Sequence, residues 1–377
     1  MSAFAVQVTI IDSVEAHPDA DAIEIAMVGG YRSIVRKADG FIAGSPIVYV
    51  PQASLLPEYL LRRLGLWDEA LGQGILGGPS FNRVSPKRLR GVFSQGICMK
   101  VEPVGGDRVS IDGPDGSFIA SFGDDVAEAL GIEKWIPVVP DGLVGDAFAP
   151  GQAYTVDFDV EDIKAYPRIF EVGEQVEFRE KLHGVFTGVT VLPPSESFPD
   201  AFGRDRNILV YSKGLGAQGM SFADTADNAT LPYVKATAAL RAKLEEISPH
   251  EELPLTVMGE TFGPGVQDLH YGTHVQFRIF AACRGYRGGQ KFLDADDLRE
   301  LAGRLGVEMV PVLYRGPFSW EVLAEHTTGP TAMDAKHIRE GVVVTPVIER
   351  EDMRLGRVAL KSVSEKYLLR KGGTEYS

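Results

Sequence analysis

The sequence predicts an α+β protein of two parts: a small β-barrel over residues 1–150, then a larger domain of antiparallel sheets flanked by helices over residues 151–377. Three observations predict it. At 377 residues the chain exceeds a typical single domain. Its first hundred residues read as short strands broken by turns, the pattern of a barrel. Beyond a proline- and glycine-rich stretch, strand and helix patterns interleave without a regular βαβ beat, which favours antiparallel pairing.

The early strands are "FAVQVTIIDSV", "AIEIAMVGGYRSIVRK" and "SPIVYVPQ", with Gly29–Gly30 between alternating runs as a hairpin signal. Helical patterns follow in "PEYLLRRLGLWDEAL" and "DDVAEALGIEKW". Between them "FNRVSPKRLRGVFSQGICMKV" carries Arg83, Lys87, Arg88, Arg90 and Lys100 with no acid. Pro137, Pro140, Gly142, Gly145, Pro150 and Gly151 read as a linker, with a boundary near residue 150. Strand patterns resume in "EFREKLHGVFTGVTV", "NILVYSK", "LPLTVMGETFG", "VQFRIFAACRGYR", "EGVVVTPVIER" and "RVALKSV". Helices are expected in "PYVKATAALRAKLEEI" and "DADDLRELAGRLG". In the second, Asp294 offers a cap, Leu298, Leu301 and Leu305 share a face, and Gly306 ends the pattern.

Hydrophobic residues make up 44% and charged residues 24%, enough for a sizeable core. A net charge of −14 argues against a globally basic nucleic-acid binder but leaves room for a local basic patch. Two cysteines, Cys98 and Cys283, cannot build a disulfide framework or a cysteine-based zinc site. With no bilayer-spanning apolar run and no evident signal peptide, the expectation is a cytoplasmic protein with no membrane partner.

Two motif matches are weak. "GLGAQG" (Gly214, Gly216, Gly219) fits GxGxxG after a strand, but "MSFADTADNATLP" follows it where a dinucleotide site needs a helix. A turn or a mobile substrate loop is the expected reading. His270 and His274 have zinc-like spacing, yet "HYGTH" contains a glycine and lacks the HExxH glutamate. There is no GxxxxGK[ST] phosphate loop.

"EKLHG" is more informative. Lys181 stands between two strand patterns, on a short turn closed by Gly184. Downstream, Glu260 ends an apolar strand in "MGETFGPGVQ", Phe277 lies in "VQFRIFAA", Glu340 begins "EGVVVTP", and Lys361 sits on "VALKSVS". A charge abutting an apolar strand is costly to bury unpaired. Each residue alone fits a solvated strand end or a core ring; in this order, the four charges and one ring point to a shared charged ligand.

The ordered set resembles the covalent nucleotidyltransferases, the superfamily of polynucleotide ligases and RNA capping enzymes. The KxHG form and "GETFGPGVQ" are most similar to ATP-dependent RNA ligases, since DNA ligases usually carry Asp where His183 stands. The resemblance spans about residues 155–370. With a barrel module in front, the chain looks most like the Deinococcus-type nick-sealing branch. "HPDADAIEIAMVGGYRSIV" and "KRLRGVFSQGI" also resemble the oligonucleotide-binding (OB) barrel of tRNA-binding modules. In one respect the chain departs from the pattern: the last ligase motif often reads KxK, whereas Ala359 precedes Lys361 by two, leaving Lys213 or Arg357 to share the phosphate charge.

The resemblance implies an adenylyltransferase domain over residues 151–377 and an OB-like nucleic-acid module over 1–150. ATP and Mg²⁺ or Mn²⁺ are implied as substrate and cation. The partner would be RNA, or an RNA/DNA duplex nick, with 3′-hydroxyl and 5′-phosphate ends. Lys181 would be the nucleophile of a covalent lysyl-AMP. Leu182 and His183 would stand with it in the ATP site, Glu260 accept a ribose hydroxyl, Phe277 stack on adenine, Glu340 help hold the metal, and Lys361 neutralise the α-phosphate. A lysine attacks only when neutral, and its ordinary pKa of about 10.4 calls for a desolvated pocket and neighbouring cations. Lys213 is a candidate for the 5′-phosphate. Arg83, Lys87, Arg88 and Arg90 suit phosphate contact, with Phe81 or Phe93 for stacking. A GTP-dependent capping guanylyltransferase and a non-catalytic RNA- or tRNA-binding protein are the alternatives.

Overall fold

Strands dominate both parts of the chain in the computed structural model, which describes residues 4–137, 147–148, 154–156, 159–200, 202–215, 218–222, 225–269, 271–333 and 336–370. Two units emerge: Ser2–Ile136 with Ile163–Pro167, and Pro137–Asp162 with Arg168–Ser377. Apart from Pro137, the expected linker residues lie outside the described residues.

In the N-terminal unit, strands of three to six residues pair into small antiparallel sheets. One joins Gln7–Ile10, Pro46–Val50 and Ile97–Lys100; a second joins Ser13–Ala16, Ile23–Val28 and Tyr31–Arg36; a third joins Glu102–Gly105, Arg108–Gly113 and Gly116–Ser121. No hydrogen-bonded sheet closes into a barrel among the described residues. The second and third sheets pair only strands adjacent in sequence, while the first joins strands far apart in the chain, so the hydrogen bonding stays in separate small sheets. The Gly29–Gly30 hairpin forms as expected, with Val28 opposite Tyr31 and Gly29 at φ 58°. A side chain at Gly30 would meet Lys164 Cα at 2.6 Å, and Gly30 N–H donates to the Lys164 carbonyl at 2.9 Å. Of the two expected helices, only Glu58–Arg63 is α-helical; "DDVAEALGIEKW" yields a single 3₁₀ turn, Glu128–Leu130.

Nine strands of the second unit are labelled here: β1 Gln175–Lys181, β2 Val185–Val191, β3 Ile208–Leu215, β4 Gln218–Phe222, β5 Leu255–Phe262, β6 Gln276–Arg284, β7 Val312–Pro317, β8 Gly341–Pro346 and β9 Leu360–Val363. A seven-stranded sheet runs Ala147–Phe148, β4, β3, β2, β5, β6, Lys291–Phe292. A five-stranded sheet runs Glu161–Asp162, β9, β8, β1, β7, and its pairing is antiparallel except where Glu161–Asp162 meets β9. Helices Ala238–Ile247 and Ala295–Leu305 bury Leu240, Leu244, Leu298, Leu301 and Leu305 against the seven-stranded sheet's core. Asp294 stands at the N-cap of the second helix, its carboxylate accepting from Glu349 N–H at 2.7 Å, and Gly306 closes it at φ 64°.

β1 and β2 are consecutive in sequence but belong to different sheets. Lys181 is the last residue of β1, and Leu182–Gly184 carry the chain across to β2. β1 itself inverts its sequence pattern. Glu177 and Arg179 on one face and Glu180 on the other are 0%, 4% and 2% exposed. The strand lies between β7 and β8, which pair both its edges, and the burial of Glu177, Phe178, Arg179 and Glu180 shows both its faces covered.

Candidate functional site

A cavity of about 240 Å³ opens where the two sheets face one another, and Lys181 lies in its wall, half-buried. Lys213, Arg179, Arg357 and Lys361 line the same space, with Asp159 and Glu260 as carboxylates and Phe186, Phe280, Val310 and Val343 as apolar wall. All these residues belong to the second unit.

Lys181 Nζ lies 2.5 Å from Glu340 Oε1. The other Glu340 oxygen is 3.6 Å from His183 Nδ1. Burial alone would raise the Glu340 carboxyl; the Lys181 and His183 charges overcome it and bring the pKa down to about 2. Glu260 goes the other way. Burial pushes it up to about 8, with Lys181 opposing and the Glu340 charge reinforcing. The two carboxyls flanking Lys181 are thus held apart in protonation, one a fixed anion and the other able to keep a proton near neutrality. Lys361 is lowered from the ordinary lysine range, first by burial and then by the Lys181 charge.

Residues that sequence reasoning did not single out fix the Lys181 turn. Gln267 donates to the Gly184 carbonyl at 3.1 Å, and His183 N–H donates to the Tyr271 hydroxyl at 2.9 Å. The His183 ring is 2.7 Å from Asp268 through Nε2 and 2.7 Å from the Tyr367 hydroxyl through Nδ1. The stretch "GETFGPGVQ" ends at Gln267, but nothing in the sequence marks Asp268, Tyr271 or Tyr367. A side chain at Gly184 would meet the Thr261 carbonyl at 2.3 Å and Glu260 Cγ at 2.8 Å, so this glycine admits β5 against the turn rather than relieving a strained φ.

The structure redistributes several expected roles. Lys181, Leu182, Glu260 and Lys361 line the cavity together. Glu340 and His183 stand behind Lys181, outside the wall, so both reach the cavity through that lysine. Lys213 lines the cavity and pairs with Asp159 at 3.1 Å. Phe277 belongs to the hydrophobic core, 7% exposed beside Ile279 and Leu298, and Phe280 lines the cavity in its place. Phe277 and Phe280, three residues apart, turn to opposite faces of β6 by strand alternation, and a register shift against β5 between Met258 and Gly259 leaves Phe280 unmatched in the ladder. Strand alternation from Phe277 alone gives no sign of that bulge.

On the N-terminal unit, Lys87–Leu89 and Val92–Ser94 form a hairpin that exposes Lys87, Arg88 and Arg90, with Arg90 at φ 44°. Arg83 instead stacks on Trp135 at 4.1 Å, and Phe93 is buried, leaving Phe81 as the exposed ring. Of the weak motifs, "GLGAQG" opens no helix among the described residues: Gly214 lies in β3 and Gly219 in β4, with Gly216 outside them. His270 also lies outside them. No helix among the described residues is long and apolar enough to cross a membrane.

An RNA ligase family model matches residues 174–363, from the start of β1 to the end of β9. This chain belongs to the RNA ligase family. The ligase is also similar in fold to a Naegleria gruberi RNA ligase solved with pyrophosphate, at 22% identity and a TM-score of 0.74 over 98% of each chain. Point mutants of that enzyme, one with ATP and Mn and one with AMP and Mn, each match at 23% identity and a TM-score of 0.73 over 96% of this chain and 97% of theirs. No curated protein matches. The family match covers every residue named at the Lys181 cavity except Asp159.

Proposed function

We propose that this RNA ligase uses ATP to join a 3′-hydroxyl to a 5′-phosphate, at nicks in a duplex, through a lysyl-AMP on Lys181. The observation that carries the reading is the Lys181 amine set in the wall of a cavity that also presents Lys213, Lys361 and Arg357, a surround suited to polyphosphate. The Naegleria ligase structures with ATP, AMP and Mn support the choice of nucleotide and cation.

In the first step the neutral Lys181 amine attacks the α-phosphorus, forming a P–N bond as the bond to pyrophosphate breaks. The AMP then passes to the 5′-phosphate of the strand, and a 3′-hydroxyl displaces it to seal the break. Glu340 aims the lysine, since a 2.5 Å contact fixes the end of a flexible side chain. Lys361 and Lys213 face the charge that builds on the phosphate oxygens. Phe280 and Val343 offer the apolar faces between which a base ring can lie.

Mg²⁺ or Mn²⁺ would accompany the phosphates. Glu340 already meets Lys181 and His183, and of the three carboxylates on the cavity wall Glu180 is taken up by Thr331 and Ala332, which leaves Glu260 and Asp159. Among the described residues no three His, Cys, Asp or Glu side chains gather into a metal cage. The donor set fits a cation that keeps waters and takes phosphate oxygens, and that cation would screen the phosphate charge.

The N-terminal unit would act as an OB-like grip on the strand, its exposed Lys87, Arg88 and Arg90 contacting phosphates. The test is incubation with α-labelled ATP or GTP and Mg²⁺ or Mn²⁺, then denaturation. The expected result is acid-labile label from ATP that is absent in Lys181→Ala. Label from GTP alone would instead indicate a capping guanylyltransferase, and no label a binding protein.

A further inference from the structure

We infer that Thr345 reads the amino edge of adenine and is a specificity-determining residue of the cavity; this rests on the ATP reading above. Thr345 lines the cavity, is 3% exposed, and its Oγ1 is buried without a hydrogen-bond partner among the described residues. Such a hydroxyl is costly to leave unsatisfied and gains most from a ligand that supplies the missing partner. Polar neighbours on the wall are already engaged. Arg179 donates to Glu177 and to the Phe280 carbonyl, and Glu180 accepts from Thr331 and Ala332.

Register gives the position. On β8, Gly341 lies opposite Lys181, Val343 opposite Arg179 and Thr345 opposite Glu177. Gly341, Val343 and Thr345 alternate onto one face of the sheet. Four residues of strand separate Thr345 from the reacting end, about 13 Å. A nucleotide with its α-phosphate at Lys181 and its base between Phe280 and Val343 would therefore bring the far edge of that base to Thr345. A hydroxyl both accepts and donates. Facing the 6-amino group of adenine it accepts.

The experiment is a cycle of two enzymes and two nucleotides, read as lysyl label on Lys181. Wild type and Thr345→Val, nearly isosteric and without the hydroxyl, are each titrated with ATP and with purine riboside triphosphate, which lacks the amino group. The expected result is a roughly tenfold rise in half-saturating ATP for Thr345→Val, with maximal rate little changed and an unfolding midpoint at or above wild type. Wild type should lose about tenfold on going from ATP to the analogue, the variant little further, and Thr345→Ser should recover most of the ATP affinity. If the variant discriminates between the two nucleotides as strongly as wild type does, Thr345 does not read the amine and the inference is overturned. Wild type that takes no label from ATP would overturn the nucleotide reading itself, and the inference with it.

Discussion

Phe277 and Phe280 stand three residues apart on one strand, and replacing each by Ala should separate stability from nucleotide binding. Phe277 is 7% exposed in a core cluster with Ile279, Ala282 and Leu298, and its ring packs over Gly259, where an added Cβ would meet Phe277 Cζ at 2.4 Å. Phe277→Ala therefore leaves a large core cavity and should cost about 3–5 kcal/mol. For a unit of this size that is a fall in the unfolding midpoint of about 10 °C. Phe280 lines the Lys181 cavity, the proposed nucleotide site, and packs on Phe186 with ring centres 6.2 Å apart. Losing a ring that stacks on a base costs about 1–3 kcal/mol of binding, or roughly a five- to hundred-fold rise in half-saturating ATP. Its stability loss should be smaller than that of Phe277→Ala. The assays are calorimetric melting of the apo enzyme and ATP-dependent label on Lys181. If Phe277→Ala melts like wild type and loses ATP affinity while Phe280→Ala keeps it, the bulge has been assigned to the wrong ring and the nucleotide placement fails.

Other perturbations give separate readouts. Glu340→Gln removes the carboxylate held 2.5 Å from Lys181 and should slow lysyl-AMP formation at least a hundredfold with little change in fold, checked by single-turnover label. Glu177 is fully buried and takes Arg179 at 2.7 Å and Arg299 at 2.7 Å, so Glu177→Ala strands a buried guanidinium and should cost about 3–5 kcal/mol in urea unfolding. Burial pushes the Cys98 thiol up to about 11 and the Cys283 thiol up to about 12, so at pH 8 a disulfide reagent should label the native enzyme far more slowly than the unfolded chain. Reversing Lys87, Arg88 and Arg90 to Glu should spare Lys181 adenylylation while weakening RNA binding, and the slope of log affinity against log salt should flatten by about two to three units.

The site was legible in the sequence where chemistry needs a particular residue at the end of a strand. Lys181, Glu260 and Lys361 could be picked out because each interrupts an apolar run, and the cavity holds all three. Strands β1, β2, β3, β5, β6, β8 and β9 followed from alternation and β-branched content. What alternation could not show was the bulge at Phe280, because a bulge changes the pairing of two strands and leaves no mark on either alone. Nor could it show that Glu177, Arg179 and Glu180 are buried. Their partners, Arg299 and Arg315, Thr331 and Ala332, lie more than a hundred residues downstream.

Those buried charges give the proposed nucleophile, Lys181, its rigidity. Lys181 is partly exposed, and an unsupported lysine of that kind samples many rotamers. Glu340 holds its amine, yet Glu340 is itself placed only because β8 pairs with β1 residue for residue from Val176 to Lys181. That pairing carries Glu177 and Arg179 into the sheet, where Arg179 closes the circuit by donating to the Phe280 carbonyl at 2.8 Å. One guanidinium thus joins the strand that carries Lys181 to the strand that carries Phe280, in different sheets. Arg179→Lys, which keeps the charge but loses the fork, should therefore impair two readouts together, raising half-saturating ATP and slowing label transfer, even if stability is restored by a compensating change elsewhere. An Arg179→Lys enzyme with normal nucleotide affinity and normal transfer would show that the two sheets hold the site without that link.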